Sequence, residues 1–143
     1  LYCGLGNFTL PLARHAGEVV GVEGDNGLIE RARANAARNG ISNAQFHVAD
    51  LSQPPDPRVP WLTGSYTHVL LDPPRVGAEA MVDTLARLAP ERIVYVSCHT
   101  GSLARDVGAL CGPRGYRLAA AGVVDMFPHT THAESIALLE RQK

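Results

Sequence analysis

The sequence predicts an α/β fold built on a doubly wound, mostly parallel sheet. Three observations predict it. Short apolar runs, such as residues 18–23 and 67–72, alternate with helix-length segments, such as Asn26–Arg38. A glycine turn, Gly4-Leu5-Gly6, opens the first helical segment. Acids stand at or just beyond the ends of three strand-like runs: Glu23, Asp50 and Asp72. In a doubly wound sheet that edge is where ligands bind.

The elements follow in order. Residues 1–3 are the remnant of a strand that should be central, so the first strand is expected to be largely missing from this chain. Residues 9–15 read as a short helix, and residues 18–23 as a buried strand. Asn26–Arg38 is rich in Ala and Arg, with Asp25 or Asn26 as cap and Asn39-Gly40 as stop. Ala44–Val48 is a short strand, ending at Asp50. Residues 52–64 form a loop carrying Pro54, Pro55, Pro57 and Pro60. Residues 67–72 are a strand cut off by Pro73-Pro74, which offer no N–H to a ladder. A helix is predicted over 78–88, a strand over 92–96, and a helix over 103–111 stopped by Gly112-Pro113. Tyr116–Val124 and residues 135–139 close the chain as strands. No helix-length segment separates them, so they are expected to pair antiparallel.

Length and composition bound the function. The chain has 143 residues, 45% hydrophobic and 19% charged, enough apolar surface for one core. No apolar run reaches the roughly 20 residues that cross a bilayer, so no membrane partner is expected. The absence of an initiator Met is read as a chain that begins inside a larger protein, with residues 1–143 as its catalytic domain. Net charge is −1, whereas a stand-alone nucleic-acid binder is usually basic. Three cysteines at long spacings, Cys3, Cys98 and Cys111, make neither a disulfide framework nor a zinc site and point to a reducing, cytoplasmic setting.

The candidate site collects along one rim. A dinucleotide fingerprint needs a third glycine, and Thr9 stands there. Gly4 and Gly6 followed by Glu23 suit an adenosine ligand without a pyrophosphate. A carboxylate at Glu23 can accept from both ribose hydroxyls, and Asp50 can accept from the adenine amino group. This describes an S-adenosylmethionine site, with an ordinary turn and two solvated acids as the alternative. Asp72-Pro73-Pro74-Arg75 aims a carboxylate from a stiff edge into the same crevice. In amino-group methyltransferases a related loop ends in an aromatic residue that stacks on a base; Arg75 replaces it here. Cys98 ends the next strand ahead of a helix, whose N-terminus favours a thiolate; a buried inert cysteine is the alternative. His129, His132 and Glu134 lack the HExxH spacing, and no metal is expected. Glu134 begins a reversed strand, so its carboxylate should reach the same rim as Cys98 and Asp72.

In combination the motifs resemble the RNA uracil-C5 methyltransferases. "LYCGLGNFTLPLA", "VVGVEGD", "LLDPPR", "IVYVSC…LARD" and "DMFPHTTHAESIALLER" carry the resemblance over nearly the whole chain. Within that family the bacterial 23S rRNA enzymes are the nearest match; the tRNA enzyme is the alternative. The resemblance implies a Rossmann-like class I methyltransferase fold whose last strand is antiparallel. It implies S-adenosylmethionine contacts from Tyr2, Asn7, Glu23, Asp50 and Asp72, Cys98 as nucleophile and Glu134 as general base. It also implies 23S rRNA as substrate, with no obligate protein partner. Upstream, outside this chain, it implies an RNA-binding domain and an iron–sulfur cluster. One departure stands out: the family reads Ser-Cys-Asn-Pro where this chain has Ser97-Cys98-His99-Thr100. Phe127 and His129 are candidates to stack on a flipped uracil. Two rivals remain: a methyltransferase for an amino group or small molecule, which needs no Cys98, and a non-enzymatic adenosine-binding or RNA-binding scaffold.

Overall fold

The structure, a computed structural model, describes residues 1–125 and 133–142. Among the described residues, six strands and four α-helices occur in the order α1 (Thr9–Ala13), β1 (Val19–Glu23), α2 (Asn26–Arg38), β2 (Ala44–Val48), β3 (His68–Leu71), α3 (Val82–Leu88), β4 (Arg92–Ser97), α4 (Thr100–Leu110), β5 (Tyr116–Val124) and β6 (Glu134–Arg141). Short 3₁₀ turns at Pro60–Leu62 and Glu79–Met81 complete it.

β1 and β2 pair in parallel, and a second sheet runs β3-β4-β6-β5. Residues 1–3 lie between the two: the Cys3 amide donates to Val22 O at 3.1 Å and the Leu1 amino group to Leu70 O at 2.8 Å. β3 and β4 are parallel, while β6 pairs antiparallel with both β4 and β5. Among the described strands β6 alone is reversed, as expected from the short stretch of sequence between it and β5. The order is that of a doubly wound sheet whose last strand inserts backwards.

Both faces of the sheet are covered. Gly21 and Val22, adjacent on β1, point to opposite sides. A Cβ on Gly21 would meet the Phe46 ring at 2.9 Å, in the cluster of Ile29, Ala32 and Ala36 from α2. Val22 belongs to the larger cluster with Leu71, Met81, Leu85, Ile93, Tyr95 and Leu110.

Several boundaries differ from expectation, each for a local reason. α1 stops at Ala13, two residues early, where the Arg14 amide turns to Pro11 O. α3 is preceded by a 3₁₀ turn rather than being helical from residue 78. It ends at Ala89 in the left-handed region, φ +48°. α4 begins at Thr100 rather than 103, because His99, not a usual capping residue, serves as its N-cap. β6 runs from Glu134 to Arg141, one residue earlier and two later than the predicted 135–139, because β4 and β5 pair with it along that length.

Candidate active site

The glycine turn rests on strained and glycine-specific backbone. Tyr2, Gly4 and Gly6 all have positive φ, +57°, +53° and +94°. A tyrosine in that region costs about 1–2 kcal/mol, and its phenol is tied down by donating to Leu51 O at 3.1 Å. Burial, then the nearby Asp106 carboxylate, pushes the Tyr2 phenol up to about 12. The space around the Gly4 Cα is open. The Gly6 amide closes the turn onto Cys3 O at 2.9 Å.

Glu23 latches this turn. Its Oε2 accepts from the Gly4 amide at 3.0 Å, and its Oε1 from the amides of Gly24 at 2.7 Å and Asp25 at 3.3 Å. Three of about four acceptor positions on a carboxylate are thus taken by main chain. One remains for a ligand hydroxyl, and the long Asp25 bond is the easiest to exchange. Asp50 follows β2, and its Oδ1 accepts from the Ser52 amide at 2.9 Å and hydroxyl at 2.6 Å. The hydroxyl bond, more than the amide, holds its carboxyl below the usual range. Asn7 is exposed and lines an open hollow of ≈ 410 Å³ with Leu10, Arg14, Asn35 and Asn39. That hollow lies on the α1–α2 flank and is also lined by Gly6 of the glycine turn.

The candidate reactive end lies where β4 meets β6. Ser97 and Ser135 are register partners, the last of the β4–β6 antiparallel ladder. Cys98 directly follows Ser97 and Glu134 directly precedes Ser135, so both adjoin that last rung; Glu134 itself pairs with Val124 of β5. Ser97 and Ser135 are buried, and Cys98 and Glu134 are half-buried. Cys98 is a free thiol, as are Cys3 and Cys111. Asp72 joins this pair from the end of β3. Partial desolvation raises its pKa first, and the charge of Glu134 raises it further.

His99, where the resemblance expects asparagine, caps α4. Its Nδ1 accepts from the Ser102 amide at 3.1 Å, capping α4. An accepting Nδ1 requires the ring proton on Nε2. The loop is also closed by the Ser97 hydroxyl, which donates to His99 O at 3.0 Å and accepts from the His99 amide at 3.1 Å.

Sequence reasoning missed Asp106, Tyr95 and Arg105. Asp106 is 1% exposed, and its carboxylate binds Tyr95, Ala78 and Arg105. A signal existed: Leu103, Asp106, Val107 and Leu110 share one helical face, and three of the four are apolar. Phe127, His129 and His132 lie outside the described residues. Among the described residues, no group of three or more metal-ligating side chains assembles, for an iron–sulfur cluster or any other metal. No helix among them is long and apolar enough to cross a membrane.

Fold and rim together define a methyltransferase. The family model described as Methyltransferase domain matches residues 1–91. Residues 62–142 match the model of tRNA (Uracil-5-)-methyltransferase, and the chain belongs to that family. It is 59% identical over 143 residues to "23S rRNA (uracil(1939)-C(5))-methyltransferase RlmD" of Xanthomonas euvesicatoria, and 60% identical over 142 residues to the protein of that name from Xylella fastidiosa. The match covers 99% of this chain but 32% of each relative, so the chain spans about a third of their length. Among solved structures it resembles Pyrococcus abyssi tRNA (uracil-54, C5)-methyltransferase in complex with S-adenosyl-L-homocysteine. The TM-score is 0.82 at 37% identity, covering 96% of this chain and 32% of that one. Magnesium protoporphyrin IX methyltransferase from Synechocystis, at 21% identity and TM-score 0.72, shares the fold alone.

Proposed function

We propose that this chain is the catalytic part of an S-adenosylmethionine-dependent enzyme that methylates C5 of a uridine in 23S rRNA through a covalent Cys98 adduct. The observation that carries the reading is that Cys98 and Glu134 each adjoin the Ser97–Ser135 partners that end the β4–β6 ladder. An amino-group methyltransferase has no use for that pair. The relatives' names support 23S rRNA over tRNA, because identity is 59% to the former and 37% to the latter.

The rim suits an adenosine ligand. Gly4 and Gly6 let main chain come close, Glu23 has an acceptor position left for a ribose hydroxyl, and Asp50 Oδ2 carries no hydrogen bond among the described residues. Tyr2 shapes the floor. When bound, S-adenosylmethionine supplies an electrophilic methyl group and leaves as S-adenosylhomocysteine.

Uracil C5 is a weak nucleophile. The Cys98 thiolate adds to C6, and the C5=C6 electron pair moves to make C5 enolate-like. C5 then takes the methyl group and carries both CH₃ and H. Glu134 removes that proton as general base, the double bond re-forms, and the thiolate leaves C6. The Cys98 thiolate is regenerated, and the C5 proton, now on Glu134, passes to solvent. The uracil must leave its stack to reach the rim. All three cysteines are free, in keeping with the reducing cytosol where rRNA is modified.

The test is Cys98→Ala in the full-length protein. Transfer to 23S rRNA is expected to vanish, together with the gel-stable adduct that the wild type forms on 5-fluorouridine RNA. A Cys98→Ala protein that still methylates overturns the assignment.

A further inference from the structure

We propose that Asp106, acting through Tyr95 and Arg105, is the positioning residue that sets the Asp72 loop against the element carrying Cys98. The inference rests on the functional reading above.

Asp106 is a buried carboxylate for which the proposed chemistry has no use. Its Oδ2 accepts from the Tyr95 hydroxyl at 2.6 Å and from the Ala78 amide at 2.7 Å. Its Oδ1 accepts from Arg105 Nε at 2.8 Å. Arg105 in turn donates from Nη2 to Val76 O at 2.8 Å, and its Nη1 lies 3.3 Å from Glu79. The Tyr95 oxygen also accepts from the Ala78 amide, at 3.0 Å. Residues 76–78 directly follow Asp72-Pro73-Pro74-Arg75, and the Gly77 amide turns back onto Pro74 O at 2.8 Å. Tyr95 is on β4, three residues before Cys98. Arg105 and Asp106 are on α4, which starts two residues after it. The network therefore ties the loop carrying Asp72 to both elements that flank the nucleophile.

The local backbone is shaped for this contact. Gly77 has φ +86°, and a Cβ there would lie 2.6 Å from Asp106 Oδ2, 2.7 Å from Arg105 Nη2 and 2.9 Å from Ser102 Cβ. Only glycine lets the loop come this close. The Tyr95 phenol is pushed well up, by burial first and then by its bond to Asp106, so it stays a donor. A buried charge is costly unless fully paired, and an apolar residue here packs as well. What the charge adds is a defined register between two loops, and reaction geometry depends steeply on register: a 1 Å misplacement costs on the order of 100-fold in rate.

The experiment uses the full-length protein with Arg105→Lys, Arg105→Ala and Tyr95→Phe. The Arg105 side chain is 45% exposed, so its replacement leaves the core intact. Lysine keeps the charge but cannot bridge Asp106 and Val76 O as a planar fork does. All three variants are expected to lose about 10- to 100-fold in kcat and to form the 5-fluorouridine adduct correspondingly slowly. KM for S-adenosylmethionine should change less than about threefold, since the ligand's own contacts remain. Arg105→Lys, which keeps a cation beside Asp106, should melt with the wild type, whereas Arg105→Ala leaves that buried carboxylate a partner short and should melt lower. Wild-type kcat in Arg105→Ala and Tyr95→Phe overturns the proposal, as does full rescue by lysine. A kcat loss matched by a fall in melting temperature in Arg105→Lys overturns it too. Failure of the underlying reading looks different: the wild type then forms no adduct, or Cys98→Ala stays active.

Discussion

Replacing Gly77 by alanine tests the packing between the Asp72 loop and α4. Two costs arise. A non-glycine residue at φ +86° costs about 1–2 kcal/mol in backbone strain. The added methyl meets Asp106 Oδ2 at 2.6 Å, Arg105 Nη2 at 2.7 Å and Ser102 Cβ at 2.9 Å. Arg105 can swing away, but Asp106 is held by three hydrogen bonds and Ser102 Cβ sits on helical backbone. Overpacking of this kind costs about 1–3 kcal/mol, for a total near 2–5 kcal/mol. Gly115 is the control, with φ +79° and nothing within 4 Å of its Cβ position, so Gly115→Ala should lose only about 1–2 kcal/mol. The assay is urea denaturation followed by tryptophan fluorescence, because Trp61 belongs to the same buried cluster as Ala78. With a slope of about 2 kcal/mol/M, Gly77→Ala should lower the midpoint by about 1–2.5 M and Gly115→Ala by about 0.5–1 M. Equal losses in the two variants refute the close approach of loop and helix.

Glu134→Gln should leave Cys98 able to add and accept the methyl group while blocking release. The methylated RNA–protein adduct then accumulates, and mass spectrometry sees it; free product at the normal rate ends the role of Glu134 as base. His99→Ala should cost about 1 kcal/mol of stability through the lost cap, and His99→Asn should restore it; equal melting of the three proteins counts against the cap. The Tyr2 phenol, held near 12 against an ordinary 10, favours the folded state while protonated. That contribution is fully present below pH 10 and disappears as pH rises to 12. Tyr2→Phe should flatten the alkaline limb of the stability profile, and an unchanged limb sets the coupling aside.

Much of this protein was decided by local sequence. The alternation of apolar runs with helical segments specified the class of fold, because periods of 2 and 3.6 are properties of neighbouring residues. Asp25 before Asn26–Arg38 marked its own helix start, and it does accept from the Leu28 amide at 2.9 Å. The lack of a helix-length stretch of sequence between the last two predicted strands foretold a reversed last strand, and reversal is what brings the start of β6 to the end of β4. Tertiary structure alone decided the rest. Glu23 was readable as a ligand acid but not as the latch that holds Gly4 across 19 residues. His99 was readable as a departure but not as a cap, since that role depends on ring orientation. Asp106 looked like one more polar residue on a helix; only packing showed that its carboxylate joins Ala78, 28 residues away, to Tyr95 and Arg105. Hydrophobic pattern sets which face of an element turns inward, whereas the partner of a buried charge is chosen by long-range geometry that no window of sequence contains.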